Sequence, residues 1–203
     1  MIDLESIPEG YGISRDGVIH PVSCVSVSVG LDVADAGGEI KESIERPAES
    51  LLRNAARTIM AMFAETTAHT VDRYSDGADH TITWRGAADE RWGPRDTNNA
   101  LMHFGTGTTA VTVRDFVLDT NVYDAIPTIS VTSTSTNTTV KLTATVTATG
   151  SATITEIMQR MQYVRNSAGA TLVWVVARDV FDPGLAVVNG DIITGKYIFS
   201  FDV

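Results

Sequence analysis

A long tract of alternating apolar and hydroxyl-bearing residues, Thr128 to Thr149, constrains the fold of this chain more than any other stretch. Its clearest apolar positions are Val140, Leu142, Ala144, Val146 and Ala148. The residues between them are threonines and one lysine. Successive residues of a strand point to opposite faces of a sheet, so this spacing predicts one apolar and one hydroxyl-rich face. Because β-branched side chains favour strands over helices, the tract predicts a mainly β protein.

Two stretches further along the chain extend the β prediction. Thr171 to Val180 is apolar at both odd and even positions, which is typical of a central strand covered on both faces. Lys196 to Val203 places its aromatic residues at every second position, on one face of a strand. The residues of these stretches that we expect to be buried in a core or an interface are Trp174, Val176, Tyr197, Phe199 and Phe201.

Residues 47–65 carry the one helical pattern. The segment begins with Pro47, a residue favoured at the first helical position, and Glu49 complements the positive end of the helix dipole. Apolar residues then recur at helical spacing along one stripe. The stripe residues that we expect to be buried, in the core or between subunits, are Leu52, Ile59 and Phe63. The predicted fold is therefore an antiparallel β-sandwich, jelly-roll or immunoglobulin-like, with one packed amphipathic helix near residues 47–65.

Composition indicates a single β-rich domain over residues 1–203, with residues 66–100 as an irregular or protruding subregion. The apolar content is 43% and the charged content 20%, as in ordinary folded proteins. The formal net charge of −10 argues against binding to the phosphates of nucleic acid. The first residues lack a secretion signal, and no apolar stretch reaches the roughly 18–20 residues that cross a bilayer. We therefore expect neither nucleic acid nor membrane as a partner.

Two functional alternatives concern the irregular subregion. Its candidate metal ligands are His69, Asp72, Asp76, Asp79 and His80. Their spacing matches neither an EF-hand loop nor a helical HExxH pair, so a solvated acidic loop is preferred over a weak calcium site, and no metal is assigned. Exposed aromatic residues here would favour a recognition loop, because they supply concentrated binding energy. The aromatic residues concerned are Tyr74, Trp84 and Trp92.

Residues 105–110, GTGTTA, formally fit the G-x-G-x-x-A fingerprint of dinucleotide sites. That fingerprint needs a preceding strand and a following helix whose N-terminus faces the pyrophosphate. The next residues, Val111 to Asp115, are poor helix starters. A tight glycine turn after a short strand is therefore the preferred interpretation, and no cofactor is expected.

Four short motifs mark the second half of the chain. They are LMHFGTGTTA at residues 101–110, Ile154-Thr155-Glu156, Ala177-Arg178-Asp179-Val180-Phe181 and Val188-Asn189-Gly190-Asp191. Together they resemble small β-rich virion proteins of tailed bacteriophages. In that group a similar glycine turn precedes an I-T-E hairpin, an A-R-x-x-F strand and an N-x-G-D turn into the last strand. The resemblance covers residues 101–203, about half of the chain.

This resemblance implies a non-enzymatic, self-assembling virion subunit, made in the cytoplasm of the host bacterium and located in the neck, tail, baseplate or fibre. A capsid decoration (cement) protein and a receptor- or glycan-binding tip are the alternatives. The resemblance carries over no catalytic residues, and the sequence has no G-x-S-x-G elbow or metal quartet, so we expect no enzyme. The expected partners are other virion proteins and further copies of the chain, which would meet through β-edges and the apolar helix face.

Overall fold

The structure, a computed structural model, describes the backbone of ten stretches of the chain. They are residues 11–13, 19–21, 26–48, 69–72, 79–82, 91–92, 101–112, 117–134, 137–164 and 171–202. Side chains are described at residues 26–48, 101–112, 117–134, 137–161 and 173–200.

The regular elements of the described residues are fourteen strands. The first seven are β1 (Tyr11–Ile13), β2 (Ile19–Pro21), β3 (Ser26–Ala34), β4 (Ile40–Pro47), β5 (His69–Asp72), β6 (Asp79–Ile82) and β7 (Arg91–Trp92). The others are β8 (Met102–Gly105), β9 (Asn121–Ala125), β10 (Thr128–Ser133), β11 (Asn137–Thr147), β12 (Ala152–Val164), β13 (Thr171–Val187) and β14 (Ile192–Asp202). The prediction of a mainly β protein is confirmed.

Two five-stranded antiparallel sheets contain most of these strands. Sheet I has the order β10-β11-β14-β3-β4. Sheet II has the order β13-β12-β8-β9, and β7 also pairs with β12. The pairs β1–β2 and β5–β6 form separate two-stranded sheets. The β5–β6 pair gives the predicted irregular subregion 66–100 some regular structure.

One hydrophobic core joins the two sheets. Sheet I contributes the fully buried Leu31 and Tyr197, and sheet II contributes Phe104 and Ile157. The sheets approach closely at Gly195, where a Cβ atom would lie 2.5 Å from Cδ1 of Ile157. Glycine at this point of β14 therefore lets the inner faces of the two sheets interlock, since any larger residue would force them apart.

The predicted start of a helix at Pro47 is wrong. Pro47 is the last residue of β4 and lies opposite Ser28 of β3. Among the described strands, β4 ends its sheet, and proline is tolerated at such positions because no neighbouring strand needs its missing N–H group. The rest of the proposed helix, residues 49–65, lies outside the described residues. So do the stripe residues Leu52, Ile59 and Phe63.

The structure corrects the central position predicted for the strand at 171–180. Among the described strands, β13 ends sheet II and pairs with β12 alone. It is nevertheless buried on both faces, because Ala177 and Phe181 face the core while Val175 packs against Leu118 of the loop before β9. Of the residues expected to be buried, Trp174 and Tyr197 have no exposed surface and Val176 is 6% exposed. Phe199 is half-buried, and the side chain of Phe201 lies outside the described residues.

Candidate functional site

The glycine-rich loop at 105–110 leaves the end of β8 and crosses the outer face of sheet II. Residues 106–120 link β8 to β9, and residues 113–116 of this link lie outside the described part of the chain. The link is held down by a small apolar cluster in which Leu118 packs against Met158 and Val175. A strand precedes the loop, as the dinucleotide fingerprint requires, and the described residues that follow it are not helical.

A buried carboxylate from β12 occupies the space that this loop encloses. Glu156 has no exposed surface. Its Oε1 accepts hydrogen bonds from the backbone N–H groups of Gly107, at 2.9 Å, and Thr120, at 3.1 Å. Its Oε2 accepts from Nε and Nη2 of Arg178 at 3.1 and 2.8 Å, and from the N–H group of Asp119 at 3.4 Å. The two ends of the link and strand β13 are thus tied to one side chain.

Arg178 connects the same carboxylate to the rest of the loop. Its guanidinium Nη2 also donates to the carbonyl oxygen of Thr109 at 3.3 Å and lies 3.4 Å from Oδ2 of Asp119. Asp119 in turn accepts a hydrogen bond from the N–H group of Thr109 at 3.1 Å. Hydrogen bonds from Thr109, chiefly from its side chain, lower the pKa of Asp119, and Arg178 lowers it further. We call residues 105–109, 119–120, 156 and 178 the Glu156 cluster.

Both glycines of the loop are required by close neighbours, which are the Glu156 carboxylate together with Asp119 at Gly107 and the carbonyl oxygen of Thr120 at Gly105. A Cβ atom at Gly107 would lie 2.5 Å from Oε1 of Glu156, and one at Gly105 would lie 2.5 Å from the same oxygen. Such a distance is far below van der Waals contact. The glycine spacing therefore fits backbone N–H groups wrapped around an anion, as in phosphate-binding loops, but here the anion belongs to the chain itself.

The Glu156 cluster satisfies its buried charges internally. Both carboxylate oxygens already accept hydrogen bonds, and no surface of Glu156 is open to a substrate or a metal ion. Among the described residues, no three His, Cys, Asp or Glu side chains are placed to hold a metal ion. The candidate ligands in residues 69–80 have side chains outside that part of the chain.

A second buried titratable group lies on β8, near the start of the loop. His103 is 3% exposed. Burial, followed by the positive charge of Arg160, lowers its pKa from 6.5 to about 4, while Asn121 and Asp124 act in the opposite direction. His103 is therefore neutral near pH 7, and its protonation in acid opposes the folded state.

Strands β4 and β13, the last strands of the two sheets at one end, are tied together by Arg46. Its Nη2 donates to the carbonyl oxygen of Val180 at 2.6 Å and lies 4.0 Å from the buried Asp179. Its guanidinium also lies 5.3 Å above the ring of Phe181. We call this end, formed by β4 and β13, the closed side. Several exposed charges, including Glu45, line β4 there.

Strands β9 and β10 form the opposite end, which we call the open side. Every residue of β10 is exposed, and none is charged. Ile129 and Val131 are 50% and 62% exposed, and Ile126, in the short connection to β9, is 46% exposed. Cross-strand pairing places Ile129 in one row with Leu142 and Tyr197, so it points to the core-facing side of sheet I. The core-facing surface thus continues onto a strand that no described residue covers.

The sequence-based recognition loop stays a prediction, because the side chains of its three aromatic residues lie outside the described part of the chain. Trp92 lies in β7, opposite Tyr163 of β12, and its side chain is not among those described. Tyr74 and Trp84 lie outside the described residues. Glu156 and Arg178, by contrast, belong to quoted motifs but received no role from the sequence. The sequence signal that could have indicated their role was the glycine loop at residues 105–110, which is suited to binding an anion but is not followed by a predicted helix.

No helix of the described residues is long and apolar enough to cross a membrane. Comparison with known proteins finds no matching family model, no similar curated protein and no similar solved structure.

Proposed function

We propose that this chain is a non-enzymatic structural subunit of a tailed-bacteriophage virion, and that it assembles through the open side of its packed sheets. The observation that carries the proposal is β10, an edge strand that is exposed along its whole length and uncharged. Proteins that stay monomeric guard such edges with charges, prolines or coverings, because unpaired backbone groups recruit further strands. β4 carries charges and Pro47, whereas among the described residues no charge, proline or covering element guards β10.

The convergence of the quoted motifs supports the virion assignment. The loop with Gly105 and Gly107, the I-T-E motif with Glu156 and the A-R-x-x-F motif with Arg178 all meet in the Glu156 cluster. In the fourth motif, Asp191 accepts a hydrogen bond from the N–H group of Val188 at 2.9 Å. Three of the four motifs thus share one structural role in this chain, and the virion assignment rests on the resemblance that the four motifs carry.

We further propose that the two sheets form a β-sandwich, since their inner faces share one core. The jelly-roll and immunoglobulin-like topologies stay predictions. The proposed position in the neck, tail or baseplate, with the capsid surface as the alternative, rests on the resemblance alone. Both positions use identical repeated contacts, which an open sheet edge provides.

Light scattering coupled to size exclusion, followed by electron microscopy of the purified chain and of its parent particle, tests this proposal. We expect a closed oligomer whose fraction rises with protein concentration, and a fixed position of the chain in the particle. As a matched pair, Val131→Lys should weaken assembly, whereas Ile40→Lys on β4, where the side chain is equally exposed at 61%, should not. A chain of 21.8 kDa that stays monomeric at millimolar concentration and is missing from the particle contradicts the proposal.

A further inference from the structure

Building on the proposed function, we infer that the partner of the open side is a second copy of this chain. Its β10 pairs antiparallel with β10 of the first copy, about a two-fold axis at Ser130. The two copies of sheet I then form one continuous ten-stranded sheet.

The chemistry of the edge selects a strand as the occupant. In the described chain β10 pairs only with β11, so one row of its backbone N–H and C=O groups faces outward. These groups are satisfied by an extended backbone at the spacing of a sheet. The side chains of β10 are threonine, serine, isoleucine and valine, which favour strand pairing.

The alternation of β10 makes it complementary to itself. Directly opposed residues of antiparallel strands share one face of a sheet. A pairing centred on Ser130 places Ile129 beside Val131 of the second copy, and Thr128 beside its Thr132. The apolar face then meets the apolar face and the hydroxyl face meets the hydroxyl face. A shift by one residue opposes Ile129 to Thr132, which would place the core-facing side of one copy on the hydroxyl side of the other.

Charge also favours a copy at this edge over the edges formed by β4, β9 and β13, which all carry charged residues. Two molecules with a formal charge of −10 repel each other, so they approach best where no charge is present. The one charged residue of β10 and β11 is Lys141, opposite Ser130 on β11. The two copies of Lys141 would be three strand spacings apart, about 14 Å. That exceeds the screening length of about 8 Å at physiological salt.

The alternative pairing of β10 with β4 of another copy is disfavoured. The exposed part of β4 carries Glu42 and Glu45, and Pro47 lacks a donor. Pairing of unlike edges would also continue from copy to copy as a ring or a filament, whereas pairing of like edges closes after two copies. The structure therefore points to a two-fold contact.

Cysteine cross-linking of the full chain tests the register. Cys24 is the one cysteine of the sequence, so a Cys24→Ser background allows single-cysteine variants. Opposed Cα atoms of antiparallel strands lie about 4.5–5.5 Å apart, within the range that a disulfide spans. Ser130→Cys is therefore expected to form a disulfide-linked dimer on mild oxidation. The matched control is Thr132→Cys on the same strand and the same face. Its two copies would be about 13 Å apart, and it should stay unlinked.

Association of the chain that retains Cys24 provides a second readout. Ile129→Lys should weaken the dimer at least tenfold in sedimentation equilibrium, because the symmetric contact contains the substitution twice. An oligomer that forms normally with Ile129→Lys, or that links equally through Thr132→Cys and Ser130→Cys, overturns this inference while leaving assembly itself intact. A chain that is monomeric under all conditions overturns both.

Discussion

The two sides of the packed sheets solve the problem of an exposed sheet edge in opposite ways. On the closed side, Arg46 of β4 reaches across to β13 and satisfies a carbonyl oxygen there, and further charges line the strand. On the open side, β10 ends sheet I with six exposed residues, none of them charged. The first arrangement repels or blocks another strand, and the second invites one.

The closed and open sides also differ in their buried charged groups. The buried acids Glu156 and Asp179 lie on or beside β13 and face Arg178 and Arg46. Charged groups near the closed side are thus neutralised within one subunit. On the open side, β10 has nothing to neutralise, so its surface can be removed from water without leaving a charge on this strand unpaired. The comparison teaches that the two edges differ in their ionic groups, and on the proposed function the edge without such groups is the one that meets a partner.

The largest expected effect comes from breaking the ion pair behind the closed side. Arg178→Met leaves the fully buried Glu156 without its cation, and such losses destabilise proteins by about 3–5 kcal/mol. Chemical denaturation measures the change. The control is Lys41→Met, because Lys41 is 42% exposed where it meets Asp191, and a partly exposed pair of this kind contributes less than about 1 kcal/mol. Equal losses in both variants would contradict the assigned role of the Glu156 cluster.

Low pH should lower the free energy of unfolding through His103 of sheet II. The pKa of His103 falls from 6.5 to about 4 in the folded chain, so the unfolded chain binds the proton first as the pH decreases. Stability is therefore complete above pH 6.5 and is lost as the pH falls toward 4, by about 3 kcal/mol. Denaturation midpoints between pH 7 and pH 4 measure this. His103→Gln should remove most of the slope in this window, and an unchanged slope would refute the assignment.

Opening the closed side directly should have a smaller effect. Arg46→Met removes a charged hydrogen bond to Val180 and a ring contact with Phe181, together about 2 kcal/mol. Hydrogen exchange of β4 and β13 should rise in this variant. Glu45→Gln, one residue earlier and exposed, serves as the control and should change the free energy of unfolding by less than about 0.5 kcal/mol.

The loop that leads into the open side provides a steric test. Gly107→Ala places a methyl group 2.5 Å from Oε1 of Glu156 and should cost about 1–3 kcal/mol of stability. Gly150→Ala is the matched control, because nothing lies within 4 Å of its Cβ position. If both variants unfold at the same denaturant concentration, the glycine spacing does not serve the carboxylate.

The smallest expected effect lies on the open side itself. In a dilute, monomeric sample Ile129→Lys should change the free energy of unfolding by less than about 0.5 kcal/mol, since half of this side chain is already in water. The same substitution is expected to weaken association, so stability and assembly should separate here. A loss above about 2 kcal/mol in the monomer would show that β10 belongs to the core of one subunit.

The parts of the fold that the sequence predicts are those with a local periodic signal. The alternation between Thr128 and Thr149 corresponds to β10 and β11, and the aromatic alternation to β14. β4 gave no such signal, because a charged edge strand has few buried positions. Pro47 at its end was interpreted as the first residue of a helix, since proline is favoured there. The burial of β13 on both faces comes from a loop, which periodicity cannot distinguish from neighbouring strands.

The Glu156 cluster could not be predicted from local sequence patterns, for a different reason. Glu156 and its loop donor Gly107 are 49 residues apart in the chain, and Glu156 and Arg178 are 22 apart. Each residue has an unremarkable sequence neighbourhood, and the arrangement exists only after three strands are aligned. The one sign of the cluster in the sequence was a glycine loop of the anion-binding type that is not followed by a helix.

The place of β14 has a consequence for how the molecule is made. This strand lies between β11 and β3, although it follows all the other described strands in the chain. The pair Asp32 and Lys196, which connects β3 to β14, spans 164 residues. During translation β3 and β11 are therefore synthesised before β14, the strand that pairs with both of them. Until β14 is made, their edges are unpaired, and chaperone protection would be needed most in this interval. Premature termination before residue 192 would leave the pairs β10–β11 and β3–β4 without the strand that joins them.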